Sequence, residues 1–151
     1  MLPAREDRMW IRNAWYVAAW THEIERGRIH ARTIIDQPLV LYRTTDNGIV
    51  ALEDRCPHRF APLSMGKIVN GDGVQCPYHG LEFDAAGACT LNPHGTKNIP
   101  SRARVRSFPV TEKHKAIWIW MGDHAPDLSK VPDFSVLDNV PEMHATKRDR
   151  I

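Results

Sequence analysis

The chain has 151 residues, 42% of them hydrophobic and 25% charged, with 20 basic side chains against 18 acidic ones. That length gives room for one domain, or one domain and a fragment of another, with a core of useful size. The near balance of charge excludes the basic footprint of a nucleic-acid binder. No stretch is long and apolar enough for a membrane helix, and three cysteines do not make a disulfide framework.

The first eight residues carry both signs of charge and lack an apolar segment with a small-residue cleavage site, so a cytoplasmic location is the expectation. Thr21 as N-cap and Gly27 as C-terminal stop predict one short helix. The rest reads as all-β. Leu39-Val40-Leu41-Tyr42 and Ile49-Val50-Ala51-Leu52 flank Asp46-Asn47-Gly48, a hairpin signal because such a turn needs positive φ. Leu81-Glu82-Phe83-Asp84 and Ala88-Cys89-Thr90 flank Ala85-Ala86-Gly87 as a second hairpin. Residues 103–107 alternate as a half-exposed strand should, and residues 116–121 are apolar on both faces, as in a central strand. Composition changes after Pro132-Asp133-Phe134, and residues 136–151 read as a tail or as the start of a further domain.

Chemistry concentrates in two short segments. Cys56-Pro57-His58 is followed, after seventeen residues, by Cys76-Pro77-Tyr78-His79. Each segment offers one thiolate and one imidazole. A [2Fe–2S] cluster with two cysteines on one iron and two histidines on the other fits that split. Such a cluster is about neutral when oxidised, roughly two negative charges less than an all-cysteine one, so it accepts an electron more readily, at about −150 to +300 mV. Proline after each cysteine stiffens the loop tip, and Gly80 permits a sharp turn beside His79. Two rivals remain. A single zinc could take two cysteines and two histidines, although zinc spacings commonly pair like with like. A cysteine–histidine catalytic pair would leave the second segment without a role. Cys89 is left over and reads as a small residue packed in a strand; a free thiol fits a reducing compartment.

At these residues the chain resembles the Rieske family, and more widely the oxygenase components of Rieske non-haem iron oxygenases in the vanillate and dicamba O-demethylase group. The resemblance runs through residues 13–20, 56–64, 76–84, 92–95 and 117–120 and covers about residues 9 to 135. It implies a Rieske fold of antiparallel sheets with a small cluster-binding subdomain inserted at about residues 52–100. It also implies a [2Fe–2S] cluster with Cys56 and Cys76 on the inner iron and His58 and His79 on the outer one. Ala61 and Tyr78 stand where respiratory Rieske proteins carry two further, disulfide-forming cysteines, which places the chain in the oxygenase or ferredoxin branch. The implied partners are an NAD(P)H-dependent reductase or ferredoxin as electron donor, and as acceptor an oxygenase catalytic domain of a neighbouring subunit. In that group the electron leaves from the second histidine, here His79, through a bridging aspartate to a mononuclear iron. The two-histidine, one-carboxylate site for that iron has no match here, since His114 and His124 lack its helical context. The expectation is therefore a Rieske domain whose catalytic domain lies outside the chain, acting on methoxylated aromatic acids by analogy; the alternative is a free-standing Rieske ferredoxin.

Of the remaining residues, Arg102, Arg104 and Arg106 are expected on one solvated strand face, and Trp118 and Trp120 in the core. His94 is expected in a loop near the cluster without being a ligand. By resemblance, Ile99-Pro100 supplies a third, shielding loop. Arg59 reads equally as a surface cation beside His58 or as an ordinary solvated side chain.

Overall fold

The computed structural model describes residues 9–141; the stretch 1–8, read above for targeting, and residues 142–151 lie outside the described residues. Three antiparallel sheets carry the fold. The first sheet joins β1 (Ala14–Trp20), β10 (Ala116–Met121) and β9 (Val110–Lys113) in that order. The second joins β2 (Ile29–Ile34), β3 (Gln37–Arg43) and β4 (Ile49–Glu53). The third joins β5 (Lys67–Val69), β6 (Gly73–Gln75), β7 (Glu82–Phe83) and β8 (Cys89–Leu91), and falls in the chain between β4 and β9. The all-β expectation is met.

Strand periodicity explains the layering, because successive side chains point to opposite faces. In β10, Ile117, Ile119 and Met121 face a core shared with Leu39, Leu41 and Ala51 of the second sheet. The alternate residues Ala116, Trp118 and Trp120 pack with Trp15 and Val131 on the other side. β10 is therefore the covered central strand that its composition predicts, and both tryptophans serve packing. β3 repeats the device. Leu39 and Leu41 enter that shared core, whereas Val40 and Tyr42 enter another with Leu52, Leu63, Val74 and Phe83. Cys56 and Cys76 belong to this second core. Each large apolar side chain buried this way contributes about 1.5–3 kcal/mol.

Two expectations need correction. The helix after Thr21 is a single 3-10 turn, Thr21–Glu23, with Trp20 rather than Thr21 at its cap. The Glu23 carboxylate accepts the Trp20 N–H at 2.6 Å. Between Thr21 and Gly27 only Ile24 is apolar, so no apolar stripe exists to dock a longer helix; Ile24 alone enters the core. Residues 103–107 make two isolated bridges, Ala88 to Arg104 and Leu52 to Ser107, instead of a strand. The Arg102 carbonyl accepts the Arg104 N–H at 2.8 Å, a tight turn that breaks the pleat beneath the three arginines. The first hairpin has the positive φ expected of its turn, at Asn47 with φ 72°. The second hairpin does need its glycine: Gly87 has φ +79°, and a Cβ there would lie 2.0 Å from the Val105 carbonyl oxygen.

Candidate metal centre

The two cysteine–histidine segments fold as the same turn twice. In the first, the Cys56 N–H donates to the Ala61 carbonyl at 2.8 Å and the Cys56 carbonyl accepts the Phe60 N–H at 2.9 Å. In the second, the Cys76 N–H donates to Leu81 at 2.8 Å and the Cys76 carbonyl accepts the Gly80 N–H at 3.1 Å. The fifth residue of each turn is left-handed, Phe60 at φ 61° and Gly80 at φ 76°. Each neck is tied by side chains. The Asp54 carboxylate accepts the Ser64 N–H at 2.7 Å and its hydroxyl at 2.5 Å. The Gln75 amide donates to Glu82 at 2.8 Å. These ties close the base of both loops and hold the tips in register.

The loops sort their side chains by polarity. The cysteines are 1% and 2% exposed, whereas His58 is exposed and His79 half-buried. The imidazoles meet edge to face, with ring centroids 4.6 Å apart and planes at 64°. Burial pushes the Cys56 thiol up and Cys76 beside it adds to that, while the backbone N–H groups of His58 and Arg59 pull it down. His79 is held below the ordinary histidine value, first by desolvation and then by His58, His94 and Arg59. A neutral imidazole is the form that ligates a metal. Two buried sulfurs beside two more open imidazoles suit a centre with two unlike ends. The donors thus fit a [2Fe–2S] cluster: two thiols would hold it from the dry core, with N–H groups of His58 and Arg59 aimed at the Cys56 sulfur, and two imidazoles from the more open side.

A concavity of about 420 Å³ opens beside the histidines, lined among others by Pro57, His58, His79, His94 and Pro100. Pro100 lies where the third loop was expected. His94 does more than lie nearby, because its Nε2 is 2.6 Å from the His79 carbonyl oxygen. Sequence reading did not find this bond, nor the left-handed Phe60, nor the ties at the two necks. The repeated Cys-Pro and the offset of 20 between Phe60 and Gly80 were the available signal.

The sequence matches the Rieske [2Fe-2S] domain over residues 14–109. The chain belongs to the Rieske [2Fe-2S] domain family. It is 56% identical over 125 residues to the oxygenase component of dicamba O-demethylase from Stenotrophomonas maltophilia, covering 82% of this chain and 36% of that protein. It is 50% identical over 117 residues to the iron-sulfur subunit of the toluene-4-sulfonate monooxygenase system of Comamonas testosteroni, covering 78% and 33%. The crystal structure of apo dicamba monooxygenase superimposes with a TM-score of 0.81 at 53% identity, over 86% of this chain and 40% of that one. The Rieske chain therefore spans about a third of the length of these curated relatives. Its cofactor is a [2Fe–2S] cluster, and its role as a Rieske domain is electron transfer. Among the described residues no helix is long and apolar enough to cross a membrane.

Proposed function

We propose that residues 9–135 form the electron inlet of an oxygenase acting on an aromatic compound, with Cys56 and Cys76 on the inner iron and His58 and His79 on the outer iron. The observation that carries this reading is the polarity of the twin loops, with both thiols in the core, His58 exposed and His79 half-buried. When bound, the [2Fe–2S] cluster supplies one-electron chemistry at a potential above that of all-cysteine clusters. Cys56 and Cys76 anchor it in a water-poor setting. His58 and His79 present ring edges outward, where a partner can approach within electron-transfer distance. The Asp54–Ser64 and Gln75–Glu82 ties keep these four side chains preorganised.

The donor in this reading is an NAD(P)H-dependent reductase or a ferredoxin. The acceptor is a mononuclear iron in a catalytic domain of a neighbouring subunit, reached from His79. Oxidative O-demethylation of a methoxylated aromatic acid is the reaction class suggested by the dicamba relative's name. A cytoplasmic setting agrees with Cys89 as a free thiol. The relatives named above, an oxygenase component and a monooxygenase iron-sulfur subunit, are more than twice as long as this chain, which favours this reading over a free-standing ferredoxin.

Iron and acid-labile sulfide analysis, with EPR of the dithionite-reduced chain, tests the proposal. Two irons, two sulfides and a rhombic reduced signal are expected. One zinc and no sulfide would sink it. Replacing Cys56, His58, Cys76 or His79 singly by alanine is expected to abolish or strip the signal.

A further inference from the structure

We infer that His94 is a positioning residue for His79, fixing the direction of the outer histidine and raising the reduction potential of the centre. The inference rests on the proposed assignment of His79 to the outer iron. A carbonyl oxygen only accepts, so the His94 Nε2 that lies 2.6 Å from the His79 carbonyl must carry the proton and donate it. The two rings stand nearly perpendicular, at 84°, with centroids 6.0 Å apart. His94 therefore grips His79 by its backbone and leaves the ring itself free to ligate.

The loop that presents His94 is built to hold it still. The Asn92 side chain accepts the His94 N–H at 3.1 Å and donates to the Asn98 carbonyl at 2.8 Å. The Lys97 N–H closes on the His94 carbonyl at 3.0 Å. One asparagine thus ties both ends of a seven-residue loop (92–98) around the histidine. The loop also rests on the turn after His79, where Pro93 Cγ lies 3.4 Å from the place of a Cβ on Gly80. Since the Gly80 N–H is held by the Cys76 carbonyl, the peptide between His79 and Gly80 is fixed at both of its polar groups. A fixed peptide leaves the imidazole little freedom beyond its own side-chain rotation. The donated N–H also points the positive end of its dipole toward His79, which favours the extra negative charge of a reduced centre.

The test uses the full 151-residue chain with its cluster, as wild type, His94→Leu and His94→Gln. Leucine removes the donor, and glutamine places an amide N–H near the position of Nε2. Each protein is assayed for iron and sulfide, for reduced-state EPR g values and for midpoint potential. The leucine variant is expected to keep its iron and sulfide, to titrate at a lower potential and to show shifted g values, with glutamine restoring both toward wild type. A fully loaded leucine variant with wild-type potential and g values would overturn the role of His94 and leave the cluster assignment intact. A wild-type chain without sulfide would overturn both. Should leucine load poorly, the glutamine variant decides: full loading with wild-type g values supports the role, and equal loss from a chain still folded by circular dichroism rejects it.

Discussion

Arg43 on β3 and Glu112 on β9 form a two-pronged ion pair across the first and second sheets, with N–O distances of 2.9 and 3.2 Å. The guanidinium is 7% exposed and also donates to the carbonyls of Ile24, Thr21 and Asn47. It thus pins the 3-10 turn and the first hairpin loop to the join between sheets. Glu112 is about a third exposed, so solvent screens its share. Glu112→Ala is expected to cost about 1–2 kcal/mol, whereas Arg43→Ala leaves three carbonyls without their donor and costs about 3–5 kcal/mol. Urea denaturation of the two variants checks the order. Equal losses would show that the carboxylate, and not the set of carbonyls, is the main partner.

The twin turns predict opposite responses at equivalent positions. Gly80→Ala forces a Cβ into the left-handed region at a cost of about 1–2 kcal/mol, although the Cβ would meet Pro93 only at ordinary contact distance. Phe60→Gly relieves a similar strain but gives up the stack of the Arg55 guanidinium on the Phe60 ring, 3.9 Å from its centroid. The alanine variant should melt earlier and release iron faster, and the glycine variant should stay within about 1 kcal/mol of wild type. Faster iron release from the Phe60 variant would mean that the aromatic stack, rather than the turn, holds the first loop.

Exchanging an outer ligand tests the charge argument directly. His79→Cys adds about one negative charge to the centre, so a variant that retains iron and sulfide should titrate below wild type, toward the roughly −400 mV of all-cysteine clusters. Redox titration followed by EPR measures it. An unchanged potential in the loaded variant would remove His79 from the ligand set.

Acid sensitivity has a local source in the segment after β10. The Asp133 carboxyl is held below the usual carboxylate range, first by the Ser135 N–H, then by the Ser135 hydroxyl, His114 and Lys113. A lowered folded value means that stability is fully present above about pH 3.9, the unfolded value, and is lost as pH falls through the folded one. Asp133→Asn keeps an acceptor but removes the charge. Its denaturation midpoint should fall below that of wild type near neutral pH and converge with it as pH falls through the folded value. A gap that persists at low pH would assign the effect to side-chain geometry instead.

The same segment shows where sequence reading reached its limit. Residues 136–141 look featureless in composition, yet Asp138 meets His114 Nδ1 at 3.0 Å and Lys115 reaches the Val140 carbonyl. Phe134 packs on Trp118 with centroids 5.4 Å apart. His114 itself sits at φ 56° in the turn between β9 and β10, a conformation that no local pattern announces.

Sequence alone determined what depends on nearest neighbours and residue chemistry. Unbroken apolar runs specified β3 and β10, and two Cys-Pro segments with one histidine each specified a centre with sulfur and nitrogen ends. Both signals are local, since side-chain alternation and ligand chemistry are set within a few residues. The tertiary structure decided what depends on distant segments meeting. It turned the expected helix into one 3-10 turn, because a lone Ile24 had only one place to go. It broke the 103–107 strand, because bridges to Ala88 and Leu52 left no continuous partner. It also brought His94 onto the carbonyl of His79, fifteen residues away, through a loop whose closure by Asn92 and Asn98 appears only once the chain is folded.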